Sequence, residues 1–261
     1  MVLIGYLLRF IEEDAPFGDV TSAAVIPDIT CNAVIRAEQP GVIAGLEEAS
    51  LLFSHFGITV NPLVNDGRSV RQADSLLELN GNAKKILLVE RTALNIIGRM
   101  SGIATQTKKM VDIVSAVNPS CRVAATRKTC PGFQELDKKA VKVGGGDPHR
   151  MNLSDGILIK DNHLALVPLV TAIRTAKKVS AYKKVEVEVE TSDDALTATR
   201  AGADIIMLDN MNPEQIAHTI NILKREDLRD HFIIVLSGGI DEGSLPRYAA
   251  LDVDVISLGI L

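Results

Sequence analysis

Residues 185–191 read Val185-Glu186-Val187-Glu188-Val189-Glu190-Thr191, a strict alternation of a β-branched apolar residue with a carboxylate. Period two is a strand signal, and it places Glu186, Glu188 and Glu190 on one face and the valines on the other. In a lone half-buried strand the glutamate face would simply be wet. The flanks argue otherwise. Apolar, β-branched-rich segments recur at 122–126, 156–160, 204–208, 232–237 and 253–258, with helical stretches at 134–143, 164–179, 193–201, 213–224 and 243–250 between them. Strand and helix in alternation imply parallel β/α units, whose strands are covered on both faces. Buried carboxylates then need cations. Part of the glutamate row is therefore expected to face a site, with Glu188 nearest its middle.

Six such units fit either an open doubly wound sheet or a barrel. No GxGxxG follows the first strand, which weakens the dinucleotide-binding version. The polar residues sit at C-terminal strand ends, where β/α barrels carry their chemistry, so a barrel is expected. The chain ahead of it differs. Residues 1–82 hold short apolar segments broken by turns, at 34–38 and 42–44 around Gln39-Pro40-Gly41, then 58–60 and 76–79, with a helical stretch at 46–56. This reads as a small α+β domain. From 83 to 116 the pattern turns helical, with Ile86, Leu87, Glu90, Leu94, Ile97 and Met100 at helical spacing. Gly98 and Gly102 inside it count against one continuous helix.

Composition narrows the classes. The chain has 261 residues, a formal charge of −5, 46% hydrophobic and 3% aromatic residues, and no Trp. That length is one large domain or two small ones. No apolar run approaches the ~18 residues a membrane span needs. The first residues are apolar and end acidic, without a basic leader or a small-residue cleavage site, so they read as an amphipathic helix and not a signal peptide. Cys31, Cys121 and Cys130, an odd number without a CxxC pair, argue against a disulfide framework and a zinc knuckle. A mildly acidic chain with few aromatics is a poor nucleic-acid surface. A soluble, cytoplasmic protein is expected, its net charge averaging an acidic surface over a concentrated basic pocket.

The strand ends supply that pocket. Thr126-Arg127-Lys128-Thr129 sets two cations between hydroxyls; arginine forks onto a carboxylate or phosphate and lysine acts as a point charge. Taken alone, the segment could equally be a solvated loop. Gly144-Gly145-Gly146-Asp147-Pro148-His149-Arg150 allows close backbone approach or a plain helix stop, followed by a switchable donor and a fixed cation. Ile159-Lys160-Asp161-Asn162-His163 puts Lys160 at the barrel mouth. There Asp161 or Asn162 reads as a helix cap and His163 as a structural histidine. Leu208-Asp209-Asn210 adds a carboxylate. Ser237-Gly238-Gly239 and Ser257-Leu258-Gly259, after the last two strands, have the layout of a barrel phosphate site. One half of such a site binds a polyanion and the other stabilises a developing cation. A sugar phosphate losing a leaving group at its anomeric carbon meets both demands.

In order and spacing these segments, together with Glu13-Asp14, Gly18-Asp19-Val20-Thr21, Glu90-Arg91-Thr92-Ala93-Leu94-Asn95 and Ser101-Gly102-Ile103-Ala104-Thr105, resemble the quinolinate phosphoribosyltransferase family over nearly the whole chain. The resemblance implies an α/β fold: a small N-terminal α/β sandwich domain over 1–105 and an incomplete C-terminal β/α barrel with the active site over 106–261. It implies a carboxylating pentosyltransferase of NAD biosynthesis. Quinolinate and phosphoribosyl pyrophosphate, with Mg²⁺, would give nicotinate mononucleotide, pyrophosphate and carbon dioxide. Carried over by motif, Arg127, His149, Arg150 and Lys160 would hold the quinolinate carboxylates, with Thr126 and Lys128 beside them. Glu188 and Asp209 would line the ribose and, indirectly, the metal, and Ser237, Gly238, Gly239 and Gly259 would hold phosphate. Lys160, Glu188 and Asp209 are the catalytic candidates. Arg91 would reach into a partner's site, making the active unit a homodimer or larger. Family members usually run on past the last strand, so either the sequence is truncated or this form is shorter, and stability and closure of the phosphate site turn on which.

Two rivals remain at this level. One is a binding-only relative associated with molybdenum transport, which the segments at 13–19 and 123–128 also resemble, although Lys160-Asp161-Asn162-His163 favours the transferase. The other is a β/α-barrel sugar-phosphate isomerase, which would not need so many carboxylate-directed cations.

Overall fold

Short segments and turns build the first unit, as the apolar spacing requires. The structure, a computed structural model, describes residues 3–261, so Met1 and Val2 of the expected N-terminal helix lie outside it. Helix α1 (Ile4–Asp14) buries Leu7 and Ile11, one turn apart on its apolar stripe. Asp19 caps α2 (Val20–Val25), its carboxylate accepting from the N–H groups of Thr21 and Ser22 at 3.0 Å. Then come β1 (Thr30–Arg36), β2 (Gly41–Val42), α3 (Leu46–His55), β3 (Thr59–Pro62), β4 (Ser69–Val70) and β5 (Ser75–Asn82). The strands pair antiparallel in two small sheets, ordered β1-β5-β3 and β2-β4. Leu52 and Phe53 of α3 and Leu76 and Leu77 of β5 are fully buried in the core between them.

Helix α4 (Ala83–Val117) runs unbroken for 35 residues through both suspect glycines. Burial of Ile96, Ile97, Met100 and Ala104 around Gly98 and Gly102 outweighs the ~1 kcal/mol that each helical glycine costs. The same stretch satisfies a sheet edge. Ser101 Oγ accepts from the N–H of Ala44 at 3.0 Å, and Thr105 Oγ1 from that of Val42 at 2.8 Å, as a neighbouring strand would.

By its packing the chain forms two units: Met1–Lys108 with Cys130–Gly145, and Lys109–Thr129 with Gly146–Leu261. Strand β6 (Arg122–Ala125) opens the second, whereas α5 (Gln134–Val143), next in the chain, sets Leu136 and Ala140 into the core of the first. There the Arg99 guanidinium grips the buried Asp137 with two bonds of 2.7 and 2.8 Å.

The second unit continues with β7 (Ile157–Ile159), α6 (Asp161–Leu164), α7 (Leu169–Lys177), β8 (Val185–Val189), α8 (Ser192–Ala201), β9 (Ile205–Asp209), α9 (Pro213–Arg225), β10 (Ile233–Ser237), α10 (Leu245–Ala249) and β11 (Val255–Leu258). The single helix expected over 164–179 is two, because Pro168 stands at the N-cap of α7, where its missing N–H does no harm. All six strands are parallel, in the order β6-β11-β10-β9-β8-β7. From β8 to β11 each lies beside its predecessor in the chain, and the first strand, β6, lies beside the last, β11. A doubly wound sheet would reverse direction at a switch point; this is the order of a barrel opened between β6 and β7. Asp147 adds a single bridge to the open edge of β6, its N–H donating to Val123 O at 2.8 Å and its C=O accepting from Ala125 N–H at 2.9 Å. The valines of β8 pack into the apolar core with Ile206, Leu208, Ile234, Leu236 and Ile256. No helix among the described residues is long and apolar enough to cross a membrane.

Candidate active site

Parallel strands finish at one edge, so the residue after each strand arrives at the same place. Here they enclose a cavity of about 550 Å³. Strand β6 delivers Thr126, Arg127 and Lys128, and the segment bridged to its open edge delivers His149 and Arg150. Leu158 lies on β7, with Lys160 and Asp161 just after it; β8 gives Glu186 and Glu188, and β9 gives Met207 and Asp209 followed by Asn210. Ser237, Gly238 and Gly239 come from the end of β10, and Ser257 from β11.

Register explains the pairings. Leu158 of β7 lies beside Glu186 of β8, so Lys160, two residues on, falls beside Glu188, and the Lys160 ammonium donates to the Glu188 carboxylate. Burial pushes the Glu188 carboxyl above its usual range, against the pull of Lys160, and the nearby Asp209 adds to the rise. Glu186 is 2% exposed, and its carboxylate lies 3.0 Å from His149 Nε2. That hydrogen bond raises the His149 pKa above its ordinary value, although burial opposes it. Arg150 is 7% exposed, donates from Nη1 to Gly156 O at 2.6 Å, and keeps a buried Nε with no partner among the described residues. Burial and the neighbouring Arg127 cation pull its guanidinium below its ordinary value. Arg127 and Lys128 are exposed at the rim, and Lys128 N–H donates to Thr126 Oγ1 at 3.1 Å.

The phosphate-type turn interlocks with β9. Asn210 has a φ of +53° and Gly238 a φ of +96°, and a Cβ on Gly238 would fall 2.2 Å from Asn210 Oδ1. Glycine is required there. Asn210 also donates from Nδ2 to Asp209 at 2.7 Å.

Of the residues expected from sequence, Thr126, Arg127, Lys128, His149, Arg150, Lys160, Glu188, Asp209, Ser237, Gly238 and Gly239 line this one cavity. Gly259 is not among the lining residues, but a Cβ on it would lie 3.8 Å from Lys128 Nζ. Arg91 is elsewhere: it is exposed on α4 and lines a separate cavity of about 480 Å³ within the first unit. Asp161 and Asn162 do not occupy the cap position of α6. Lys160 does, and its N–H donates to His163 Nδ1 at 2.9 Å, because the side chain three residues on reaches back to it. Ser257, from the Ser-x-Gly turn read as a phosphate site, lines the cavity too; Glu186, Asn210, Leu158 and Met207 do so without having been singled out, though the period-two row contained Glu186. Nor is the cavity simply basic: Asp161, Glu186, Glu188 and Asp209 share it with the cations. All three cysteines are free.

Two family descriptions match the chain: "Quinolinate phosphoribosyl transferase, N-terminal domain" over residues 19–101 and its C-terminal counterpart over 103–261. A relative from Methanothermobacter thermautotrophicus, named a probable carboxylating nicotinate-nucleotide pyrophosphorylase, is 45% identical across 99% of this chain and 94% of its own. The rat nicotinate-nucleotide pyrophosphorylase is 35% identical across 97% of this chain and 84% of its own. The solved structure of the Francisella tularensis nicotinate-nucleotide pyrophosphorylase superposes with a TM-score of 0.91 at 35% identity, covering 100% of this chain and 92% of that one.

Proposed function

The chain belongs to the quinolinate phosphoribosyl transferase family, an enzyme family of NAD biosynthesis, and from that premise we propose how the strand-end cavity performs the carboxylating reaction. Quinolinate and phosphoribosyl pyrophosphate enter; nicotinate mononucleotide, pyrophosphate and carbon dioxide leave. One observation carries the assignment of the site: cations, carboxylates and a glycine-rich turn converge on a single cavity from six strand ends.

Arg127, His149 and Arg150 hold the two carboxylates of quinolinate, with Thr126 and Lys128 at the rim, and the unpartnered Arg150 Nε is a donor in waiting. Ser237, Gly238, Gly239 and Gly259 hold phosphate through backbone N–H groups and a hydroxyl. The pyridine nitrogen attacks the anomeric carbon as the bond to pyrophosphate breaks. No side-chain nucleophile is needed. Glu188 and Asp209 favour the oxocarbenium charge that develops on the ribose. The 2-carboxylate then leaves as carbon dioxide, and the electron pair left on the ring carbon takes a proton. Lys160, held by Glu188, stabilises that carbanion beside the quaternised nitrogen.

The donor set fits magnesium carried in on the substrate. Among the described residues no group of three His, Cys, Asp or Glu could hold a metal by itself. Mg²⁺ typically takes one or two carboxylates plus substrate phosphates. Glu188 and Asp209 would hold it, and when bound it offsets the charge of the leaving pyrophosphate.

Arg91, exposed on α4, completes a neighbouring copy's site in this reading, so the working unit is a homodimer or larger, in the cytoplasm. Mixing Arg91→Ala and Arg127→Ala chains should restore activity to about a quarter of wild type, the share of intact sites from random pairing; no restoration removes Arg91 from the shared site. A binding-only role is not favoured. Turnover tests it: folded protein with both substrates and Mg²⁺ should form nicotinate mononucleotide and carbon dioxide in equal amounts. Substrate binding without either product would overturn the reading.

A further inference from the structure

Glu186 is out of place in a pocket for a dianion. It is 2% exposed, faces the cavity from β8, and brings a carboxylate toward the end where quinolinate carboxylates are proposed to sit. By Coulomb's law alone, it weakens the binding of any dianion there. A buried carboxylate that opposes the ligand needs a compensating role, and its contact supplies one: its Oε2 lies 3.0 Å from His149 Nε2.

Of the groups that act on the His149 proton, Glu186 acts most strongly. Asp147 is in the same loop and Asp155 in the turn ahead of β7, and both act on the ring at longer range. Arg150, next in the chain, and Arg127 line the same cavity, and Arg127 is close enough to Arg150 to lower the latter's guanidinium. A histidine at its ordinary pKa of about 6.5 is mostly neutral at pH 7, where it has lost the charge that makes it useful to an acid.

Resting on the reading that quinolinate binds in this cavity, we propose that Glu186 is a positioning residue that holds His149 in one orientation as the imidazolium, turning a neutral ring into a third cation for the dianion. A carboxylate buried behind a histidine fixes ring and charge together. The repulsion from Glu186 is the cost of that cation.

The pH dependence separates this role from simple electrostatics and from a structural one. In Glu186→Gln, which keeps the shape, the KM for quinolinate should rise several-fold at about pH 7, just above the ordinary histidine range, where the variant's ring gives up its proton before the wild type's, with kcat changing less than KM. At pH 5.5 the ring is protonated regardless, so KM should equal or fall below wild type. The basic limb of kcat/KM should move to lower pH. In a His149→Asn background, the same substitution should no longer raise KM at about pH 7. A change in KM of the same size at both pH values, or tighter binding at both, overturns the proposal. Should Glu186→Gln not fold, an NMR titration of His149 in the wild-type protein decides: a pKa above about 6.5 is expected, and one at or below it overturns the proposal. Failure of wild-type protein to turn over quinolinate would sink the functional reading itself, which is a distinct outcome.

Discussion

The two units each contain a cavity, and the two differ little in size, about 550 and 480 Å³, but greatly in lining. In the parallel-sheet unit the walls are Arg127, Lys128, His149, Arg150 and Lys160 set against Glu186, Glu188 and Asp209. In the antiparallel unit they are mostly apolar, with Ile35, Val42, Ile43, Leu76, Leu94 and Ile97, while Arg36, Glu38 and Arg91 supply the charge. Topology makes the difference. Six parallel strands finish at one edge, so each contributes the polar residue that follows it, and opposite charges meet at short range. Antiparallel strands finish alternately at opposite edges and cannot concentrate charge in this way. The first cavity is suited to chemistry and the second to packing.

Substitutions in the two cavities should therefore fail in different ways. The largest effect is expected from Lys160→Ala, which removes the cation beside Glu188: kcat should fall about 10²–10³-fold with the melting temperature little changed, as steady-state kinetics beside a thermal melt would show. Equal loss of stability and activity would break the contrast. Ile97→Ala, in the other cavity and 5% exposed, should do the reverse. It is expected to cost about 2–4 kcal/mol of stability by urea unfolding while leaving kcat per folded molecule within about twofold. Gly238→Ala sharpens the comparison, because the new Cβ meets Asn210 and the φ of +96° is strained for alanine. A local cost of about 1–3 kcal/mol should appear as a higher KM for phosphoribosyl pyrophosphate than for quinolinate. The smallest effect concerns pH. Because the folded His149 pKa is raised, its stabilising contribution is complete below about pH 6.5 and is lost as pH climbs through the folded value. With the ring two-fifths exposed, the difference between wild type and His149→Asn should stay below about 1 kcal/mol in urea midpoints taken across that range.

Much of this was readable beforehand where one local rule acted alone. The Val-Glu alternation of β8 predicted which residues turn to the cavity, and the strand-end positions of Arg127, Lys160 and Asp209 predicted that they would meet. What escaped the reading depends on partners distant in the chain. Gly98 and Gly102 look like breaks until the burial of Ile97 and Met100 is counted, and Pro168 divides what periodicity makes a single helix. Asn210 looks like an ordinary strand terminus. Only the positive φ at Asn210 and the close approach of Gly238 reveal that the β9 and β10 ends lock together. Glu186 was visible as one member of a row, but its pairing with His149 depends on the seam between β6 and β7, which no spacing encodes. Likewise the net charge suggested a basic pocket, whereas the carboxylates that oppose the cations are built into the same walls.

The central claim is that the strand-end cavity is where quinolinate binds. Calorimetric titration of quinolinate into wild type and Arg127→Ala tests it most directly, since Arg127 stands exposed at the rim and its loss need not disturb the core. Wild type should bind, and the variant should bind about 10–10²-fold more weakly with an unchanged thermal melt, the loss expected for charged hydrogen bonds to a carboxylate. Equal affinity in the two proteins would contradict the account.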